Sequence, residues 1–93
     1  MTAPVTLYTT RFCPYCIRAK HLLEHKNVDF HEIPVDGDPA TREKMTALSG
    51  RRTVPQIWIG ERHIGGYDDL AALERGGRLD ELLEAAGTAA TVN

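Results

Sequence analysis

The sequence predicts an α/β fold in which helices flank a four-stranded mixed sheet, in the order β-α-β-α-β-β-α-α. Short segments rich in β-branched and aromatic residues alternate with segments of helical periodicity. The chain opens with strand, helix and strand, an order that implies two parallel strands. Only Gly60 and Glu61 separate the last two strands, and so short a connection requires them to be antiparallel.

The first half of this pattern begins with an alternating strand from Val5 to Thr9. Pro14 suits the first turn of a helix, where its missing N–H costs nothing, and apolar residues recur at helical spacing to about Lys26. Residues 28–35 contain β-formers and predict a second strand. Together these segments form the βαβ unit.

The middle of the chain carries clear helix boundaries. Asp38 precedes a proline and is a start signal, and Gly50 is a plausible terminator, so we predict a second helix near 39–49. Residues 54–59 and 62–64 predict the third and fourth strands. These two strands form the hairpin.

Two glycines end the predicted third helix. Residues 67–74 have helical character, Asp68 or Asp69 is expected to cap this helix, and Gly76 and Gly77 stop it. The sequence therefore predicts a polar helix start directly after the hairpin.

The last apolar repeat predicts a closing amphipathic helix over 79–86, stopped by Gly87. Residues 88–93 lack apolar content and are expected to form a flexible C-terminal tail. We therefore expect one domain over 1–87.

Composition limits the classes of function. The 93 residues include 11 Lys and Arg, 13 Asp and Glu, and two cysteines, with a formal charge of -2. Two cysteines exclude a disulfide-rich scaffold, and the absence of a basic excess argues against nucleic-acid or membrane-surface partners. With no secretory signal or membrane span in the sequence, we expect a cytoplasmic monomer.

The two cysteines, Cys13 and Cys16, form a C-x-x-C pair at the predicted start of the first helix. In a reducing compartment such a pair is more often catalytic or metal-binding than structural. The helix dipole and unpaired N–H groups favour the thiolate form of Cys13. Residues 11–26 add positive charge from Arg11, Arg18, Lys20 and Lys26, opposed by Glu24. We predict that Cys13 attacks disulfides and that Cys16, one turn inside the helix and less exposed, resolves them.

Two other interpretations of the pair are possible. A zinc site would need more ligands, and His21 and His25 are the nearest candidates. On one helix, at about 100° per residue, these histidines point away from Cys16, so we expect no metal. Inert buried thiols are the second alternative, which Pro14 and the surrounding cations disfavour.

Three motifs, Cys13-Pro-Tyr-Cys16, Thr53-Val-Pro-Gln56 and Gly65-Gly-Tyr-Asp-Asp69, resemble a small bacterial dithiol glutaredoxin over about positions 4 to 86. The resemblance implies a thioredoxin-like fold and a cis bond before Pro55. It also implies that the Val54 backbone meets the cysteine moiety of glutathione and that Pro55 holds this backbone beside Cys13.

Glutathione carries two carboxylates and one ammonium group, so its binder needs cations, a helix start and a carboxylate. Backbone N–H groups at Gly66 and Tyr67 suit the γ-glutamyl carboxylate, and Asp68 suits the ammonium. Alternatively, Asp68 and Asp69 only cap the helix. Candidates for the glycyl carboxylate are Arg11 and Arg52, and Arg51 could replace Arg52. The predicted glutathione-binding set is Arg11, Tyr15, Arg52, Thr53, Val54, Pro55, Gly66, Tyr67 and Asp68.

The chain departs from the family pattern at two positions. Arg11 stands where the family often has Lys, and Tyr67 stands where smaller residues are common, so its ring could crowd the rim of the pocket. Tyr15 is typical. Pro14 is also retained, whereas a serine there is linked in some relatives to cluster binding.

The sequence thus predicts a glutathione-dependent thiol-disulfide oxidoreductase that acts on disulfide-bonded or glutathionylated proteins, with glutathione as co-substrate. One alternative is a redoxin reduced by a thioredoxin reductase. The other is an iron-sulfur carrier, in which two protomers share a cluster through Cys13 and two glutathiones.

Overall fold

The computed structural model describes residues 4–84, which contain a four-stranded sheet in the order β2-β1-β3-β4. Strand β1 pairs in parallel with β2 and antiparallel with β3, which pairs antiparallel with β4. The strands are β1 (Val5–Thr9), β2 (Phe30–Pro34), β3 (Gln56–Ile59) and β4 (Arg62–Gly65). The mixed sheet and both predicted strand directions are confirmed.

Helices connect the strands in the predicted order. They are α1 (Pro14–His25), α2 (Pro39–Ser49) and α3 (Tyr67–Arg75), followed by α4, which begins at residue 79 and is helical to the last described residue, 84. The predicted stop of this last helix at Gly87 and the predicted tail over 88–93 lie outside the described residues. None of the helices in the described part of the chain is long and apolar enough to cross a membrane.

Two strands begin later than predicted because neighbouring residues make other contacts. The Val28 N–H donates to the Leu23 carbonyl at 3.0 Å and ends the turn after α1, so β2 starts only at Phe30. Strand β3 starts at Gln56 instead of residue 54, since Pro55 has no N–H to donate to a ladder.

Side-chain and glycine caps fix the helix ends. In α2 the Asp38 carboxylate accepts from the Thr41 N–H at 3.1 Å, and Gly50 ends the helix in the left-handed conformation, both as predicted. The prediction that Asp68 or Asp69 caps α3 is confirmed for Asp69, although neither residue is itself at the N-cap position. Gly66 is the N-cap, and Asp69 accepts from its N–H at 2.9 Å.

The core lies on both faces of the sheet. Met45 of α2 packs with Tyr8 and Val35 in a small cluster. The larger cluster unites β1 and β3 with α1, α3 and α4: Val5, Leu7, Ala19, Leu23, Val28, Ile57, Ile59, Leu70, Leu79 and Leu83. This packing fixes the end of β1 and the start of α1. Cys13 lies between these two elements, and Cys16 lies within α1.

Gly65, the last residue of β4, lies close to the Asp69 side chain of α3. Its φ is +119°, and a Cβ built there would collide with the Asp69 carboxylate. We expect Gly65→Ala to lower the free energy of unfolding by about 2 to 4 kcal/mol, from the strained backbone and the overpacking together. Urea denaturation measures this change.

Gly37→Ala is the matched control. Gly37 also has a positive φ, +76°, but its Cβ would meet nothing within 4 Å. Only the backbone cost of about 1 kcal/mol should appear. Equal losses in the two variants would contradict the close approach of Gly65 to Asp69.

Candidate active site

Cys13 is the N-cap residue of α1, and its side chain takes the place of the usual capping oxygen. Its backbone is extended (φ -118°, ψ 105°), and its Sγ accepts a hydrogen bond from the Cys16 N–H at 3.1 Å. Pro14 occupies the first helical position as predicted. The start of α1 thus places a backbone hydrogen-bond donor directly on the Cys13 sulfur.

Cys16 is the more buried of the two thiols, as predicted. It is 1% exposed, against 8% for Cys13, and both cysteines are free. Burial, and next the hydrogen bond with Cys13, raise the pKa of Cys16 to about 12. Cys16 is therefore a neutral thiol at pH 7, which suits a group that reacts second.

The loop before β3 forms the wall opposite Cys13. The Val54–Pro55 bond is cis, as the sequence resemblance implies. The Cys13 Sγ lies 3.7 Å from the Val54 carbonyl oxygen and donates to it. The chain segments around positions 13 and 54 thus meet at the reactive sulfur, although they are 41 residues apart.

A cavity of about 190 Å³ continues from this loop toward α3. Seven of the predicted binding residues line it: Tyr15, residues 53–55 and residues 66–68. Arg51 and Asp69 complete the lining. Arg11 and Arg52, the predicted partners of the glycyl carboxylate, are not among the lining residues.

The predicted positive charge around α1 is largely paired. The Arg11 Nε binds Asp36 at 2.9 Å, and Lys20 binds Glu32 at 3.1 Å. Lys26, at the far end of α1, contacts Glu74 and Asp80 in α3 and α4. The ion pairs oppose the prediction of an unbalanced cationic segment around Cys13.

The two tyrosines of the cavity lie beside each other. The ring centroids of Tyr15 and Tyr67 are 6.3 Å apart, with a 34° angle between the ring planes. The Arg18 guanidinium lies 5.4 Å from the Tyr15 ring centroid. The Tyr67 ring also packs against the larger core cluster, so it forms a fixed side of the cavity.

Arg51 and Asp69 form an ion pair that joins the loop after α2 to the start of α3. Their side chains approach to 3.1 Å, and Asp69 also accepts from the Gly66 N–H. This N–H, and next the Arg51 guanidinium, lower the pKa of Asp69. The sequence predicts Asp69 only as a possible cap of α3. Its position three residues after Gly66 is the signal for this contact.

The start of α3 has room for an anion. The N-cap, Gly66, provides no side-chain oxygen to the N–H groups of the first turn. The exposed Asp68 lies beside them, and Arg51 lies on the neighbouring wall. The cavity therefore combines donors for a carboxylate, an acceptor for an ammonium group and a guanidinium.

The alternative metal ligands do not converge on the cysteines. His21 and His25 are exposed on α1. Residues 4–84 contain no group of three or more His, Cys, Asp or Glu side chains that could hold a metal ion.

A reactive thiol at a helix start, a buried second thiol one turn later and a cis-proline loop against the first thiol define a thioredoxin-like thiol-disulfide oxidoreductase. Comparison with known families agrees with this class. The glutaredoxin family model matches residues 5–64. The chain belongs to the glutaredoxin family, and its activity is thiol-disulfide oxidoreduction.

Two bacterial relatives are similar to this chain over nearly their whole length. A glutaredoxin of Pseudomonas aeruginosa is 62% identical over 82 residues, which are 88% of this chain and 98% of the relative. Glutaredoxin 3 of Escherichia coli is 57% identical over 88% of this chain and 99% of its own length. Among solved structures, a buckwheat glutaredoxin-glutathione complex has a TM-score of 0.84 at 31% identity, covering 91% of this chain and 80% of that one.

The difference between the two thiols predicts selective alkylation. At pH 8, iodoacetamide should add one carbamidomethyl group to the reduced protein, on Cys13, because the neutral and buried Cys16 reacts far more slowly. Peptide mass spectrometry locates the adduct. In urea both cysteines should be labelled, and comparable labelling of both in the folded protein would contradict the assigned environments.

Asp69 makes stability depend on pH. A carboxylate with a lowered pKa stabilises the fold above its ordinary value of 3.8, and this contribution is lost as the pH falls below it. Asp69→Asn should therefore cost about 1 kcal/mol at pH 7, as for a lost charged cap, and the difference from the parent should shrink toward pH 3. Urea denaturation across this range measures it.

Asp68→Asn is the control, because the neighbouring Asp68 carboxylate makes no hydrogen bond to the residues described. It should change the free energy of unfolding by less than about 0.5 kcal/mol at every pH. A pH-independent difference between Asp69→Asn and the parent would argue against the charged cap.

Proposed function

We propose that this protein is a glutathione-dependent reductase of protein disulfides and glutathionylated proteins. The observation that carries the proposal is the 3.7 Å contact between the Cys13 Sγ and the Val54 carbonyl, at the edge of the cavity that leads to Gly66 and Asp68. When the Cys13 sulfur is joined to the glutathione sulfur at this position, the charged ends of the peptide lie beside polar groups of complementary charge.

The first half-reaction uses Cys13 alone. Its thiolate attacks the glutathione sulfur of a glutathionylated protein, and the protein leaves as a thiolate that takes up a proton. Cys13 now carries the glutathionyl group. A free glutathione thiolate then attacks this mixed disulfide, releases glutathione disulfide and restores the Cys13 thiolate, which accepts a hydrogen bond from the Cys16 N–H.

Protein disulfides require both cysteines. Attack by Cys13 breaks the substrate disulfide and leaves the substrate attached through one sulfur. Cys16 then loses its proton, attacks the Cys13 sulfur and releases the substrate as a dithiol, so the electron pair ends on the substrate. Two glutathione molecules reduce the resulting Cys13–Cys16 disulfide. The high pKa of Cys16 delays its reaction until a mixed disulfide is present.

The cavity supports a specific orientation of glutathione. The cysteinyl moiety would run along the Val54 backbone, with its γ-glutamyl carboxylate at the start of α3 and its ammonium at Asp68. Arg51 lines the cavity, but its ion pair with Asp69 puts it beside the γ-glutamyl end of this pose, so Arg11 and Arg52 stay the candidates for the glycyl carboxylate. The buckwheat relative was solved as a glutathione complex, and the likeness of the two folds supports the same ligand here.

Cysteine substitutions test the assigned roles. Cys13→Ser should lower the reduction of a glutathionylated peptide by more than about 100-fold, since the nucleophile is lost. Cys16→Ser should keep most of this activity but lose the reduction of an intramolecular protein disulfide. Both rates are followed through glutathione disulfide formation coupled to glutathione reductase and NADPH.

The reductant supplies the second comparison. The parent protein should turn over with glutathione and remain nearly inactive with thioredoxin reductase and NADPH. Activity that survives Cys13→Ser would contradict the mechanism, and turnover supported by thioredoxin reductase but not by glutathione would contradict the proposed co-substrate.

A further inference from the structure

Gln56 is a polar residue inside the core, and every hydrogen-bonding atom of its side chain is used. The residue is 0% exposed. Its Nε2 donates to the Thr53 carbonyl at 2.9 Å and lies 3.2 Å from the Thr53 hydroxyl. A buried amide of this kind is costly unless all its partners are present, so the contacts fix the side chain in one orientation.

His63 of the neighbouring strand fixes the other end of this amide. The Gln56 Oε1 lies 2.8 Å from the His63 Nε2, and because this oxygen can only accept, Nε2 must carry a proton. Burial, and next the Arg51 charge, lower the pKa of His63, so the ring is neutral at pH 7. The ring packs on Trp58, with the centroids 4.6 Å apart.

These contacts connect the rigid part of the sheet to the loop that faces the reactive thiol. Gln56 is the first residue of β3 and is paired with Tyr8 of the central strand β1. Thr53 precedes Val54, whose carbonyl oxygen accepts a hydrogen bond from the Cys13 thiol. A displacement of Thr53 would therefore move the Val54 carbonyl relative to the sulfur.

We infer that Gln56 is a positioning residue for the reaction, which holds the loop of residues 53–55 at the correct distance from Cys13. It touches neither the thiol nor the cavity, and it acts through Thr53. The inference rests on the proposed function, because the Val54 backbone is where the glutathionyl group would bind. The ordinary alternative is that Gln56 only stabilises the β3–β4 hairpin.

The two roles make different kinetic predictions. A residue that orders a binding loop contributes to the binding of ground state and transition state alike, so its loss raises KM and leaves kcat nearly unchanged. A residue that only stabilises the fold changes neither constant while the protein remains folded. The ratio of KM to kcat effects therefore separates positioning from stability.

Gln56→Met tests the inference, because methionine keeps the length of the side chain and removes its three hydrogen bonds. With a glutathionylated peptide and saturating glutathione, we expect KM to rise about tenfold, as for the loss of one or two hydrogen bonds, and kcat to stay within about twofold. Val28→Ala is the matched control. It truncates a buried residue between α1 and β2 and should leave both constants unchanged.

A Gln56→Met protein with the KM of the Val28→Ala control would overturn the inference. If Gln56→Met does not fold, Gln56→Asn applies the same criteria, since its amide is one methylene too short to reach Thr53. Unfolding temperatures measured in parallel confirm that the variants are folded at the assay temperature.

A readout without glutathione keeps this inference separate from the proposed function. Backbone 15N relaxation on the reduced protein should show lower order parameters at residues 53 and 54 in Gln56→Met than in the parent, and no change in Val28→Ala. Unchanged order parameters would contradict the positioning role. A parent protein that does not turn over the glutathionylated peptide would contradict only the proposed function, and the relaxation result would still decide the role of Gln56.

Discussion

The hydrogen bond from the Cys16 N–H to the Cys13 Sγ is the contact around which the site is arranged. It makes Cys13 both the N-cap of α1 and the proposed nucleophile, so forming this helix start also places a backbone N–H on the sulfur. Strand β1 ends at Thr9, and the short turn that follows leaves Cys13 just beyond the carboxyl end of this central strand. The buried position of Cys16 follows from the same helix geometry and gives the two thiols their different reactivity.

Fixed polar contacts, more than net charge, shape the opposite wall. The Gln56 amide donates to the Thr53 carbonyl. The Asp69 carboxylate accepts from the Gly66 N–H and forms an ion pair with Arg51. Each contact links a residue of the cavity wall to the sheet or to a helix start. By contrast, most cations of residues 11–26 are paired with carboxylates and contribute little unbalanced charge. A net charge of -2 is compatible with an anion-binding site because backbone N–H groups supply the positive potential locally.

Local patterns predicted most of the fold and the reactive pair. The C-x-x-C spacing, the Asp38 cap and the hairpin at Gly60 each depend on residues a few positions apart, and all agree with the structure. Contacts between distant segments were not predictable in this way. The Arg51–Asp69 pair spans 18 residues, and only the folded chain shows that Arg51, and not Arg52, lines the cavity. The same holds for the burial of Gln56, which in the sequence resembles any polar residue within a predicted strand.

We propose that a glutathionyl group on Cys13 lies between the Val54 backbone and the start of α3. The most direct measurement is the NMR spectrum of the Cys16→Ser protein before and after glutathione is attached to Cys13 as a stable mixed disulfide. Large amide shift changes should appear at Val54, Tyr67 and Asp68, with nuclear Overhauser contacts between these residues and the peptide. Shift changes confined to Phe12 and Tyr15, without effects at Val54 or α3, would contradict this placement of the glutathionyl group.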